Sequence, residues 1–256
     1  MRPAAGTGLV RSPVAPLFDE PRVSSVQISQ LLAGHPVDLL EERDGWWCVR
    51  GIDRYEGWMH RGFLHERDGA DVAPRARMSL GCRVDRGGMR RALPLRALLE
   101  PDDRLIAGEV IDVGDQARLF PREAAAITRS ARRYFEGTSY LWGGVTPWGA
   151  DCSGLVQATF ALHGVPLPRD AWQQASAGAP ADVDPLTARE GDLLFFSDRV
   201  DLHITHVAIA LGRASLVHLA LGRGGYGIEQ LDDGSDPYVR TLLDRFAGAR
   251  RVIQRQ

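Results

Sequence analysis

Cys152 closes the glycine- and aromatic-rich stretch YLWGGVTPWGADCSG at residues 140–154 and precedes an apolar series, Leu155, Val156, Thr159 and Leu162, with helical spacing. A thiol at the start of a helix faces unpaired backbone N–H groups and the positive end of the helix dipole, which favour thiolate and lower its pKa. The same N–H groups suit the oxyanion that forms when a thiolate adds to an amide carbonyl. Such a nucleophile needs a base, and the base needs an orienting partner. Two downstream runs offer them, HVAIAL at 206–211 and LVHLAL at 216–221. Strand alternation puts His206 on the face of Ala208 and Ala210, and His218 on the face of Leu216 and Ala220. A hairpin centred on Gly212 would set position 206 directly opposite 218, with Cβ atoms about 5 Å apart.

Other readings compete for the same residues. Cysteine is among the most buried residue types, so Cys152 alone also fits a packing role, and a lone strand histidine is often only a satisfied polar group. A zinc site could draw on His203, His206, His218 and Cys152. On a strand, however, residues three apart face opposite sides, so His203 and His206 diverge and no metal is expected. Cys48, Cys82 and Cys152 form no CxxC pair and leave an odd thiol, which indicates neither a disulfide framework nor a cysteine-rich zinc site. No cofactor is implied.

The elements that must position these residues begin at Pro121, where residues 122–135 carry apolar positions at helical spacing behind a first-turn proline. A second helix follows Cys152, and strands are expected at 192–197, 206–211, 216–221 and 227–231. Helices followed by strands make an α+β domain. Upstream, short apolar runs at 13–17, 37–40, 46–49 and 57–59, broken by turn residues, indicate a small β-barrel. A second, more degenerate unit of that kind is expected before residue 120, with strands near 78–84 and 104–113. The expected domains are therefore 1–70, 71–120 and 121–256.

The 256 residues are 44% hydrophobic and 25% charged with a net charge of -2, a balance that gives no general attraction to nucleic acid or anionic membrane. All 31 basic residues are arginine, scattered rather than gathered on one element. Residues 1–6 lack the apolar core of a signal peptide, and nowhere do about 18 apolar residues run together, so a cytoplasmic protein with no membrane span is expected.

The His35-Pro36 turn, the acidic turn at 41–45, the WWCVR strand at 46–50 and Tyr55-Glu56-Gly57-Trp58 resemble a bacterial SH3 domain. YLWGG at 140–144, DCSGLV at 151–156, LPRD at 167–170, GDLLFF at 191–196, HVAI at 206–209 and His218 together resemble the NlpC/P60 cysteine peptidases of bacterial cell-wall metabolism. The resemblance covers residues 121–251 and implies a papain-like core preceded by SH3-like barrels. It implies that Cys152 is the nucleophile, His206 the base and His218 the residue orienting it, with Tyr140 lining the site near the oxyanion. Asp151 and Ser153 would flank the nucleophile and bind the peptide. Tyr140 and Trp142 also fit aromatic core packing, and Asp192 fits a turn.

SH3-like units ahead of such a domain suggest the subgroup that cleaves γ-D-glutamyl–diamino acid bonds in murein peptides, with Tyr55 matching a tyrosine used there to recognise a free N-terminal L-alanine. Two departures stand out. The glutamate that pairs with the substrate amine in relatives is absent from residues 25–28, which leaves Glu20, Glu41 or Glu56 as replacements. Relatives also often carry serine after the Arg-Asp pair, where this chain has Ala171. The leading expectation is a peptidase acting on the γ-D-Glu–meso-diaminopimelate bond. A non-catalytic peptidoglycan-binding protein, or an amidase or acyltransferase on the same core, are the alternatives.

Overall fold

The computed structural model describes residues 4–67, 76–181 and 184–253. The expected boundary at 70/71 lies outside the described residues. The chain divides into two compact units, one of residues 1–116 with 142–144, the other of 117–141 with 145–256.

The first unit is all-β. Strands β1 (Gly6–Val10), β2 (Val14–Phe18), β3 (Gln27–Leu32), β4 (Pro36–Arg43), β5 (Trp46–Arg50), β6 (Glu56–His60) and β7 (Leu64–Arg67) form one antiparallel sheet in the order β3-β2-β6-β5-β4-β1-β7. Alternation decides what faces inward: Ala15 and Leu17 on β2, Val37 and Leu39 on β4, and Val49 on β5 fill the core with Met59. The opposite face of β5 carries Trp46 and Cys48, which pack on Trp58. Cys48 is thus a small hydrophobe in an aromatic cluster.

Strands β8 (Arg77–Arg86), β9 (Met89–Leu93), β10 (Leu98–Leu99) and β11 (Arg104–Asp112) form a second sheet in which β8 pairs with all three others. It packs in the same compact unit as the first sheet: Leu98 N donates to Ala33 O at 2.8 Å and His35 Nε2 to Arg96 O at 3.0 Å. Cys82 is buried on β8, where desolvation raises its thiol pKa.

The second unit is α+β. After the short helix α1 (Gln116–Leu119), helix α2 (Ala124–Phe135) buries Ile127, Ala131 and Phe135 on one stripe. The two-residue strands β12 (Val145–Thr146) and β13 (Gly149–Ala150) make a hairpin that leads into α3 (Cys152–Leu162). Helix α3 is buried on nearly every side, as expected for a central helix. The short helix α4 (Ala171–Gln174) follows. The main sheet combines β14 (Ala179–Pro180), β15 (Leu193–Phe196), β16 (His206–Gly212), β17 (Ser215–Ala220), β18 (Gly225–Gln230) and β19 (Phe246–Arg251) in the order β14-β19-β15-β16-β17-β18. Helix α5 (Pro237–Asp244) precedes β19.

Two features differ from the sequence expectation. Helix α5 and strand β19 complete the unit, and β19 inserts beside β15. Asp192 fastens this join. It holds a turn by accepting from Arg189 N at 3.0 Å, and it receives the Arg251 guanidinium through Nε at 2.8 Å and Nη2 at 2.7 Å. The β16–β17 hairpin also turns at Arg213-Ala214, not at Gly212: both have positive φ, 51° and 55°, as a two-residue primed turn requires. Ile209 pairs with Val217 and Ala210 with Leu216, so His218 lies diagonal to His206 rather than directly opposite.

Among the described residues, no helix is long and apolar enough to cross a membrane.

Candidate active site

Cys152 is the first residue of α3, and Asp151 caps the helix by accepting from Gly154 N at 2.7 Å. The cap is locked from behind. Arg169, the largest fully buried side chain, reaches Asp151 through Nη2 at 2.6 Å and Nη1 at 3.1 Å, and Ser153 Oγ through Nη1 at 2.8 Å. Asp151 and Ser153 were expected to contact substrate. Both are buried with their side-chain oxygens turned to Arg169, a placement that makes them supports of the helix start. Gln174 Nε2 adds a bond to Ser153 O at 3.1 Å.

The loop before the helix explains its glycines at two positions. Gly143 has φ of 74°, and at Gly149 a Cβ would come within 2.9 Å of Leu141 Cβ. Tyr140 is half-buried and tied to Gly224 O through its N–H at 3.0 Å. Burial, then the nearby Cys152 and Asp151, raise its hydroxyl pKa, so it stays a neutral donor beside the thiol. Trp142 is exposed and does not join the core.

Burial and the adjacent Asp151 push the Cys152 thiol up to about 12, against the lowering expected from the helix start. The N–H groups of Val207 and Ser153 and the charge of Arg169 pull the other way without prevailing. Burial also drives His206 well below its usual value, with the proximity of His218 adding to the fall. Both partners are therefore neutral at rest, a thiol and a proton acceptor, which suits transfer of a proton during attack rather than a standing ion pair.

Val207 follows His206 at the start of β16, so the backbone contact to the sulfur brings thiol and imidazole strands together. His206 Nε2 and His218 Nδ1 are 2.9 Å apart, with ring centroids 5.0 Å apart and planes at 70°. The diagonal placement still allows this, because imidazoles span the larger Cβ separation of diagonal neighbours. His203 lies outside the strand, in the loop before β16, where its ring meets exposed Trp172 at 6.0 Å. Among the described residues, no group of three or more His, Cys, Asp or Glu is arranged to hold a metal ion.

One member of the site was not read from the sequence. Glu229 on β18 is buried, and its Oε1 accepts from His218 Nε2 at 3.3 Å. Burial would raise its pKa, but bonds from His218 and Arg223 outweigh this and bring it to about 2. The only sequence signal was an acid in an alternating strand opposite a histidine strand.

Tyr55 belongs to the first unit, half-buried against the barrel core, with its N–H bonded to Asp53 Oδ1 at 3.1 Å. The three candidate amine-binding acids are each paired there: Glu20 with Arg22 at 2.8 Å, Glu41 with Arg43 at 2.6 Å and Glu56 with buried Arg50 at 2.7 Å. Ala171 opens α4 behind the N-cap Asp170, whose capping box is completed by Gln173.

An α+β unit that sets a buried helix-start cysteine beside the strand carrying one of two paired histidines has the parts that nucleophilic attack by a thiol requires. Residues 137–240 match the NlpC/P60 family and residues 13–65 the bacterial SH3 domain. The chain belongs to the NlpC/P60 family, with an SH3-like β-rich region ahead of the peptidase domain. It is 28% identical to "Dipeptidyl-peptidase 6" of Lysinibacillus sphaericus, over 91% of this chain and 95% of that protein. It is 24% identical to "Gamma-D-glutamyl-L-lysine dipeptidyl-peptidase" of Bacillus cereus, over 88% of this chain and 75% of the relative. With "Murein DD-endopeptidase MepS/Murein LD-carboxypeptidase" of Escherichia coli it shares 30% identity, over 61% of this chain and 81% of the relative. The crystal structure of an NlpC/P60 family protein from Bacillus cereus superposes with a TM-score of 0.79, covering 97% of this chain and all of the other at 18% identity; at that identity the match speaks for the fold.

Proposed function

We propose that this chain is a cysteine peptidase that hydrolyses the γ-D-glutamyl–diamino acid bond of short murein peptides, meso-diaminopimelate being the expected third residue. The observation that carries the reading is the Cys152 thiol at the start of α3 against the N–H of Val207, the residue next to His206, whose Nε2 lies 2.9 Å from His218 Nδ1. The γ-glutamyl bond is supported by the Bacillus cereus relative, named a γ-D-glutamyl-L-lysine dipeptidyl-peptidase, and cleavage of a short peptide by the Lysinibacillus sphaericus relative, named a dipeptidyl-peptidase.

His206 takes the thiol proton as Cys152 Sγ adds to the γ-carbonyl carbon, and the carbonyl π pair moves onto oxygen. N–H groups at the start of α3 and the Tyr140 hydroxyl are the donors assigned to that oxyanion. Collapse breaks the C–N bond, the amine leaves with the proton from His206, and a thioester remains. Water then adds, giving a proton to His206, and the C–S bond breaks to restore the thiol. His218 orients His206 throughout. Tyr55 is assigned to recognition of the free L-alanine amine.

The test is incubation with L-Ala-γ-D-Glu-meso-diaminopimelate and its L-lysine counterpart, followed by mass spectrometry. Release of the free diamino acid by wild type and none by Cys152→Ala is the expected outcome. Equal traces from the two proteins would refute the assignment. Acyl transfer or attack at another bond gives a different product, and a binding protein gives retention on peptidoglycan without turnover.

A further inference from the structure

Glu229 has no step in the proposed reaction, yet it is built into the end of the imidazole chain with unusual care. Arg223 grips it with Nε on Oε1 at 2.8 Å and Nη2 on Oε2 at 2.7 Å. Arg223 Nη2 is itself bonded to Asp236, which caps α5 through Tyr238 N at 2.8 Å. The Tyr238 ring stacks under the Arg223 guanidinium at 4.3 Å and meets His218 edge-on at 6.1 Å. Opposite His218, position 227 is glycine. A Cβ there would lie 3.2 Å from Glu229 Oε1 and 3.4 Å from His218 Nε2, wedged against the contact that the glycine leaves open.

We propose that Glu229, held by Arg223, is a positioning residue that sets the direction of the protons along the His218–His206 pair and so leaves the basic nitrogen of His206 facing the thiol. The proposal deepens the peptidase reading and rests on it for its catalytic consequence. A carboxylate offers only acceptors, and both oxygens face donors. His218 Nε2 must therefore carry its proton and donate to Glu229. In the neutral ring Nδ1 is then bare, and it can only accept from His206 Nε2–H across the 2.9 Å contact. His206 is left with a bare Nδ1, the nitrogen able to take the proton from Cys152. Reversal at either contact would put a proton on His206 Nδ1 and block the base, the fault that follows when a triad carboxylate becomes an amide.

The experiment is ¹⁵N NMR of the imidazoles in the full chain at alkaline pH, where tautomers are resolved. Both His206 and His218 are expected as Nε2–H tautomers in wild type. Glu229→Gln keeps the shape but puts an NH₂ group at one of the two oxygen positions. It should make a His206 Nδ1–H population appear and lower kcat by about 10–100-fold with KM little changed. A purely structural role would leave the tautomers of a folded variant unmoved. His206 found as Nδ1–H in wild type, or unchanged tautomers in folded Glu229→Gln, overturns the proposal. Because the wild-type spectrum needs no variant, it decides the matter even if Glu229→Gln does not fold. The tautomers also separate the two claims. Nε2–H on both rings alongside full turnover by Cys152→Ala would overturn the peptidase reading alone, and reversed tautomers with an inactive Cys152→Ala would overturn only the role of Glu229.

Discussion

Replacing His206 by alanine is expected to lower kcat/KM on a γ-glutamyl peptide by about 10⁴-fold while the fold survives. The size follows from the thiol. With Cys152 pushed up to about 12, only about one thiol in 10⁵ is ionised at neutral pH unless a neighbour accepts the proton. In the proposed mechanism His206 is that neighbour, and its own depressed pKa keeps it unprotonated and ready to accept. Without it the thiolate must come from bulk base, so the residual rate should climb about tenfold per pH unit across the neutral range, a slope the wild type lacks. A pH profile of kcat/KM for the two proteins checks this. Similar rates and similar slopes would show that the thiol does not depend on His206.

Replacing Arg169 by methionine should have the largest effect on stability. Its side chain is 1% exposed and pairs with the buried Asp151 carboxylate, so its removal strands a charge at the start of α3. Breaking one side of such a pair costs about 3–5 kcal/mol, worth roughly 10 °C or more in the melting temperature of a unit this size. Asp151→Asn in the same chain should recover part of the loss, because the stranded charge goes with it, and a double-mutant cycle by thermal melting measures the coupling. Since Arg169 also lowers the Cys152 pKa, alkylation of that thiol by iodoacetamide should slow in Arg169→Met. Additive stability changes would mean that the pair does not act as a unit.

The helix start at Cys152 and the two histidine strands were legible because each shows up as a local period: 3.6 after the thiol, 2 around His206 and His218. Their meeting was legible too, although through the wrong register. Arg213 and Ala214 take positive φ that sequence rules reserve for Gly, Asn or Asp, so the turn looked as if it belonged to Gly212. Strand β19 is not legible in the sequence, because FAGARR has no clean alternation and Gly248, at φ 141°, interrupts it; the Asp192–Arg251 pair that fixes it is 59 residues apart in sequence. Glu229 is hidden for a related reason. An acid beside glutamine in a glycine-rich strand reads as a solvated face, and only the β17–β18 pairing brings it to His218. The thiol pKa shifts opposite to the helix-start expectation, since the dipole of a helix start is visible in a sequence while the burial that overrides it is a property of the whole unit.

The central claim, that Cys152 attacks the γ-glutamyl carbonyl, is tested most directly by trapping the intermediate. The protein would be mixed with excess L-Ala-γ-D-Glu-meso-diaminopimelate, quenched in acid within the first turnovers and read by intact mass and peptide mapping. An L-Ala-γ-D-Glu acyl group on the peptide containing Cys152, removed by hydroxylamine and absent from Cys152→Ala, is the predicted result. Release of diaminopimelate at an undiminished rate by Cys152→Ala, with no acyl group on wild type, would contradict the account.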